Sequence, residues 1–343
     1  MLDLFPSRES GPFGRRLKRE RGARIPVTVV TGFLGAGKTT LLRRFLGTPE
    51  GRGTAVIVTE FGAVGIDDAL VRGSADETVL LGNGCVCCVT RTDLQAALRR
   101  LLHDRERGAV PAFGRIVIET SGLADPGPIL QTFSTDRALG AECHLDVLLT
   151  VVDAVNGGAT LEQAPEARKQ VILADRIVIA KADLATANTV AVLTKELRKL
   201  NPRAGIDLAT DGAIDPARMI EPVLSERTGF IAEAEHADGI VSFVVEQAEP
   251  IAYPVLSRAM ETLIALRGAD LLRAKGILNI AGCRGPVVVQ YVQHLTHPPV
   301  ELETWPDENR ESRMVFITRG ITERQIRDLL ASVAALAARA EPS

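Results

Sequence analysis

Residues 27 to 46 read VTVVTGFLGAGKTTLLRRFL, an apolar strand that runs into a glycine loop and then into a helix. Gly32, four intervening residues, and then Gly37, Lys38 and Thr39 match the P-loop pattern. In that pattern consecutive backbone N–H groups cradle phosphates, the lysine reaches the terminal ones and the threonine hydroxyl ligates Mg²⁺. The glycines, Gly35 among them, let the backbone approach an anion closely and take up positive φ, and the helix that follows turns its positive end toward it. The loop from Gly32 to Thr40, Ala36 included, is therefore the expected phosphate site. Chance alone produces such a match in about one of every hundred chains of this length. The strand before it, and Leu41, Leu42, Phe45 and Leu46 at helical spacing after it, supply the setting that confirms the motif.

Outward from this turn, 343 residues at 46% hydrophobic can bury a substantial core and divide into two domains. A net charge of −3 leaves no broad electrostatic footprint for nucleic acid. The apolar runs fall short of a membrane span, and the first residues lack the apolar core of a secretory signal, so a cytoplasmic location is expected. Residues 1 to 24, with RRLKRERGAR, read as a disordered arm. The nucleotide domain is expected over 25 to 226 and a linker over 227 to 238. A second domain is expected over 239 to 330, and a helix end with a tail over 331 to 343. Five cysteines give no disulfide framework; Cys143 and Cys283 read as small apolar side chains.

Residues 54 to 59 form a second strand, and EFGAVGIDD follows at its carboxyl end, where ligand loops of open parallel sheets lie. Glu60 can face the terminal phosphate or its metal there. After the short strand at 78 to 81 comes GNGCVCCV. In an extended segment Cys85 and Cys87 project to one side and Cys88 to the other. Two thiolates then share a metal directly; a third needs a turn, or an outside donor such as Glu60. Soft sulfur ligands favour Zn²⁺, with Co²⁺ or Cu(I) as alternatives, over Mg²⁺ and Ca²⁺. The competing reading is a buried or redox-active cysteine cluster.

A crossover helix at 92 to 102 leads to a strand at 115 to 118 that ends in ETSGLADP. Glu119 occupies the strand-end acid position that faces Mg²⁺ in P-loop proteins, and Gly122 can bring a backbone N–H to the γ-phosphate. LDVLLTVVD at 145 to 153 reads as a central parallel strand, with Asp153 at its end either a loop cap or a group that orients the neighbouring switch, the structural role being favoured. A helix is expected at 161 to 173. The next strand closes on Lys181 and Asp183, where the carboxylate can accept from guanine N1–H and the exocyclic amine together while the lysine stem packs on the purine. A helix at 189 to 201 and a strand at 207 to 210 complete this half. From Ile240 the pattern predicts a small α+β domain with a mainly antiparallel sheet. Its helices are expected at 254 to 266 and 323 to 338, and its strands near 271 to 280, 286 to 293 and 313 to 318. His294 and His297 read as a strand end and its proline turn rather than a metal site. Arg273 and Lys275 face either the nucleotide domain or a client.

GFLGAGKTT, EFGAVGID, GNGCVCC, ETSGLADP and AKAD, in this order, resemble the CobW-type P-loop GTPases, relatives of the nickel GTPases of urease and hydrogenase maturation. RAKGILNI, GPVVVQYVQHL and SRMVFITR resemble the carboxy-terminal domain of that family, so the match covers roughly residues 25 to 330. The resemblance implies an α/β P-loop NTPase domain followed by a smaller α+β domain of the CobW type. It implies that Gly32, Gly35, Ala36, Gly37, Lys38, Thr39 and Thr40 hold the phosphates of GTP. Thr39 and Glu119 would serve Mg²⁺, and Lys181 and Asp183 would read guanine. Cys85, Cys87 and Cys88, with Glu60, would carry a transferable Zn²⁺ or Co²⁺ for a client metalloprotein. Thr59 and Ala63 depart from the family's Asn-Glu-Phe-Gly-Glu, and Ala180 replaces the asparagine of the guanine motif, which weakens the expected base selectivity. No glutamine or arginine finger stands out for hydrolysis, so slow intrinsic turnover is expected. Two rival readings are a nucleotide-dependent small-molecule kinase and a GTP-controlled assembly factor, for example in cobalamin or metalloenzyme maturation, whose cysteines are structural.

Overall fold

The computed structural model describes residues 24–59, 79–81, 91–220, 234–235, 240–292, 295–296, 299–305 and 308–340. Glu60, Ala63, Cys85, Cys87, Cys88, His294 and His297 lie outside the described residues. The chain divides into two compact units, one spanning Arg24–Ile231 and one containing the chain from Ala232 onward.

The first unit runs β1 (Ile25–Thr31), α1 (Lys38–Leu46), β2 (Thr54–Thr59), β3 (Val79–Leu81), α2 (Arg91–Glu106), β4 (Arg115–Thr120), α3 (Pro126–Thr135), α4 (Arg137–Glu142) and β5 (Cys143–Asp153). It continues through α5 (Gly157–Gln163), α6 (Pro165–Leu173), β6 (Arg176–Ala180), α7 (Ala187–Leu200), β7 (Gly205–Leu208) and α8 (Ala217–Ile220). Its seven strands form one sheet in the order β3-β2-β4-β1-β5-β6-β7. Every pairing is parallel. Parallel strands bury both faces, and two cores result. Leu41, Leu42, Phe45 and Leu46 of α1 pack on Val117, Leu149 and Val178 on one face. Leu161, Val171, Leu193 and Leu197 pack on Ile177 and Ile179 on the other. The alternation Ile177, Val178, Ile179 between the two cores is the period-two geometry of a strand.

Two local expectations change. The helix expected at 161 to 173 is two helices, because Pro165 removes a donor and forces the preceding residue out of helical geometry. Ala164 is accordingly extended, at φ −114° and ψ 106°. The strand expected at 207 to 210 lies at Gly205–Leu208. Residues 210 to 213 instead make a tight turn, with Thr210 and Ala213 exchanging backbone hydrogen bonds of 3.2 and 2.9 Å. Asp211 and Gly212 supply the two positive φ values, 51° and 72°, that such a turn requires.

The second unit contains β8 (Ala234–Glu235), β9 (Ile240–Gln247), α9 (Tyr253–Arg267), β10 (Leu271–Leu278), β11 (Val287–Val292), β12 (Leu295–Thr296), β13 (Val300–Glu301), β14 (Ser312–Arg319) and α10 (Glu323–Ala340). Its sheet is antiparallel in the order β12-β11-β10-β14-β9-β8, with β13 paired to β11. Phe243 and Phe316 are register partners whose rings stack at 5.5 Å. They share a core with Leu256, Met260 and Leu263 of α9 and Ile326 of α10. Arg273 is buried.

Candidate nucleotide and metal site

The phosphate loop leaves β1 at the point where the chain's order in the sheet reverses, between β4 and β5, which is where open parallel sheets bind ligands. Gly32 has φ 142°, and a Cβ there would stand 2.3 Å from the Val151 carbonyl oxygen, so the loop can press onto β5 only without a side chain. Gly37 caps α1 in the left-handed region at φ 104°, and no side chain caps that helix end. Uncapped N–H groups at a helix start are suited to an anion. Lys38 is buried, and its ammonium donates to the Gly32 and Phe33 carbonyls at 2.9 and 3.2 Å, folded over the loop it serves.

Thr39 Oγ1 donates to Glu119 Oε1 at 2.6 Å, joining the start of α1 to β4. Glu119 is 4% exposed, and Thr59 Oγ1 donates to its backbone carbonyl at 3.1 Å, which ties the end of β2 to the same point. Hydroxyl and carboxylate oxygens in contact form a hard donor pair, and they fit Mg²⁺. Beyond Glu119, the loop at 121 to 125 passes directly over the phosphate loop. A Cβ at Gly122 would lie 2.6 Å from the Leu34 nitrogen. Helix α6 holds this loop: Gln170 Nε2 donates to the Gly122 and Ala124 carbonyls at 3.1 and 3.0 Å, and Lys169 pairs with Asp125 at 2.5 Å.

Lys181 adopts φ 58°, ψ 31°, a conformation that costs a non-glycine residue and is held by its surroundings. Its ammonium donates to Asp153 Oδ2 at 2.7 Å and to the Gly35 carbonyl at 2.8 Å. Burial raises the pKa of Asp153, but hydrogen bonds from Lys181, Val155 and Asn156 outweigh it and hold the carboxyl below its ordinary value. Asp153 is thus the loop cap expected from the sequence, through the Val155 and Asn156 N–H groups, and also the partner of Lys181. Asp183 Oδ1 accepts from the Asp211 N–H at 3.1 Å. Arg44 donates to the Asp211 carbonyl at 3.2 Å, and a Cβ at Gly212 would stand 2.6 Å from Thr40 Cγ2, so the 210 to 213 turn rests on α1 beside Asp183. Ala180 lies under the phosphate loop, where a Cβ built at Gly37 would be 3.6 Å from its own.

The structure therefore brings together Gly32 to Thr40, Glu119, Gly122, Lys181 and Asp183. Gln170 and the Asp211–Gly212 turn escaped the sequence reading; only the Asp-Gly dipeptide carried a local signal. Among the described residues no group of three or more His, Cys, Asp or Glu could hold a metal ion. The cysteine segment and Glu60 lie outside them. Cys143 is buried and Cys283 partly buried; burial, then Glu142, pushes the Cys143 thiol up to about 12, and burial, then Glu301, pushes Cys283 up to about 11.

A seven-stranded parallel sheet with this loop, acid and lysine-aspartate pair defines a P-loop nucleotide-binding protein. The chain belongs to the CobW/HypB/UreG family, matching its nucleotide-binding domain over residues 26–207 and the cobalamin synthesis protein cobW C-terminal domain over 240–334. It is 39% identical to the zinc chaperone YjiA of Escherichia coli over 90% of this chain and 98% of that one. It is 33% identical to the zinc chaperone CobW of Pseudomonas aeruginosa over 94% and 96%. The crystal structure of Zn(II)-bound YjiA GTPase from E. coli matches with a TM-score of 0.65 at 34% identity, covering 90% of this chain and 99% of that one. No helix of the described residues is long and apolar enough to cross a membrane.

Proposed function

We propose that this protein is a GTP-hydrolysing metallochaperone that holds Zn²⁺, with Co²⁺ as the alternative ion, while GTP and Mg²⁺ are bound, and gives it up to a client metalloprotein on hydrolysis. The observation that carries the reading is the contact of Thr39 with Glu119 at 2.6 Å, beside the end of β2. Glu60 follows β2 directly, and Cys85 stands four residues beyond the end of β3, the strand paired to β2. Both segments thus leave the sheet edge that carries the nucleotide residues. The zinc chaperone relatives support the same cargo.

In this mechanism Gly32 to Thr40 bind the phosphates through backbone N–H groups, with Lys38 turning from its loop carbonyls to the terminal ones. Thr39 and Glu119 would hold Mg²⁺, which neutralises phosphate charge when bound. Lys181 packs on the purine, and Asp183 accepts from the guanine edge. Gly122 senses the γ-phosphate through its N–H, so hydrolysis relaxes the loops that leave the neighbouring strands. Cys85, Cys87, Cys88 and Glu60 are the proposed cargo ligands, thiolates being suited to Zn²⁺. A transfer assay tests this: Zn²⁺-loaded protein is mixed with a chromophoric chelator in the presence of Mg²⁺ and either GTP or a non-hydrolysable analogue. Release should follow phosphate production with GTP and stall with the analogue. Equal release rates would reject the cycle.

A further inference from the structure

The geometry points to Gln170 as a positioning residue for GTP hydrolysis, one that fixes the 121 to 125 loop over the phosphate loop so that the Gly122 N–H is aimed where a γ-phosphate arrives. This role rests on the GTPase reading above. The two ends of the loop are held by β4 and by α3, whose first turn Asp125 caps at the Gly127 N–H. Its middle has less to hold it. Leu123 is 47% exposed and gives no apolar anchor. The Ala124 N–H donates to the Ser121 carbonyl at 3.1 Å, a turn that shapes the loop without locating it. Its place over Leu34 is set from α6, where Gln170 Nε2 meets the Gly122 and Ala124 carbonyls together and Lys169, the residue before it, meets Asp125.

Gln170 is itself anchored toward the phosphate loop. Thr150 Oγ1 donates to its backbone carbonyl at 2.8 Å, and Thr150 is the register partner of Thr31, the residue before Gly32. The next residue of β5, Val151, supplies the carbonyl against which Gly32 is pressed. One strut thus runs from the phosphate loop through β5 and α6 to Gly122. Its chemistry argues for position rather than packing. Gln170 is fully buried, and its Oε1 is buried without a hydrogen-bond partner. An acceptor left unmade is costly, so an apolar side chain of the same volume would fill the space at lower cost. What the glutamine adds is two donors directed at two carbonyls of one loop. Holding the Gly122 carbonyl constrains the direction of the same residue's N–H, and a misplacement of about 1 Å in such a group costs on the order of a hundredfold in rate.

Gln170→Met keeps the volume and removes both donors. The full chain with Mg²⁺ and saturating GTP should release phosphate at least about tenfold more slowly than the parent, while GDP, which lacks the γ-phosphate, should bind within about threefold of the parent. A double-mutant cycle with Gly122→Ala separates positioning from packing. Gly122→Ala already displaces the loop, so adding Gln170→Met to it should lower kcat by less than about threefold more. Lys169→Met leaves the buried amide in place and opens no cavity, and it should slow hydrolysis about two- to fivefold with the same non-additivity. Unchanged kcat in folded Gln170→Met, losses that multiply in the cycle, or GDP affinity that falls as far as kcat would each overturn the role. If Gln170→Met does not fold, unchanged kcat in Lys169→Met overturns it in the same way. A parent that releases no phosphate defeats the GTPase reading and this role with it, whereas an active parent with unchanged variants defeats this role alone.

Discussion

The Lys181 ammonium lies 2.7 Å from Asp153 Oδ2, and the same nitrogen reaches the Gly35 carbonyl. One side chain thereby links the end of β5, the turn after β6 and the loop from Gly32 to Thr40. Asp153→Asn keeps an oxygen for the Val155 N–H but removes the charge that assists the Lys181 bond, a difference of about 1 kcal/mol. GTP affinity should fall about fivefold, with little change in fold, as read by calorimetric titration and circular dichroism. Unchanged affinity would mean that Asp153 is only a loop cap.

The same pair sets a pH dependence. Asp153 is held below its ordinary value of 3.8, so its contribution to stability is fully present above that value and is lost as pH falls through the lower folded one. Thermal melts of the parent should therefore gain nothing from this group between about pH 5 and 8 and lose stability below about pH 4. The Asp153→Asn melt should show a shallower acid limb.

Gly122 has no room for a side chain, since its Cβ would meet the Leu34 backbone at 2.6 and 2.8 Å. Gly122→Ala must lift the 121 to 125 loop from the phosphate loop. Nucleotide should still bind through Gly32 to Thr40, while kcat falls at least about tenfold, about 1.4 kcal/mol of lost transition-state stabilisation. A raised KM with unchanged kcat would contradict the sensing role of this loop.

Glu119 meets Thr39 through a single carboxylate oxygen. Glu119→Gln preserves the shape and removes the charge, so the Mg²⁺ concentration giving half-maximal GTP hydrolysis should rise about tenfold or more. Titration with MgCl₂ at fixed GTP measures it, and an unmoved midpoint would place the metal elsewhere.

The thiols should separate into two classes. Cys143 and Cys283 are held protonated, the first at about 12 and the second at about 11. The thiolate is the reactive form. Native protein at about pH 8 should lose three thiols quickly to a maleimide, and peptide mapping should place the label on Cys85, Cys87 and Cys88. Prior addition of Zn²⁺ should protect those three.

The phosphate loop was legible because strand, glycines, lysine and helix are contiguous, and Gly32, Lys38 and Thr39 need no distant partner to be recognised. Asp153 was readable as a cap, through N–H groups two and three residues on, but not as the partner of Lys181, 28 residues away. Gln170 gave no signal at all. Its targets, Gly122 and Ala124, lie 48 and 46 residues earlier and meet it only once the chain has crossed from β4 to α6. The split at Pro165 was written in the sequence and is local physics, since proline forbids a helical Ala164. In the second unit the antiparallel pattern was legible from alternation, as in Val241, Phe243 and Val245 facing the core, whereas the two-residue strands at Ala234–Glu235 and Leu295–Thr296 are too short to show a period.

In the proposed cycle the nucleotide state sets metal affinity. Anaerobic titration of Zn²⁺ and Co²⁺ into the protein with Mg²⁺ and a non-hydrolysable GTP analogue, with Mg²⁺ and GDP, and with neither nucleotide measures it directly. Affinity should be at least about tenfold tighter in the triphosphate state, and replacing Cys87 and Cys88 by serine should abolish the difference. Equal affinity in all three states would contradict the claim.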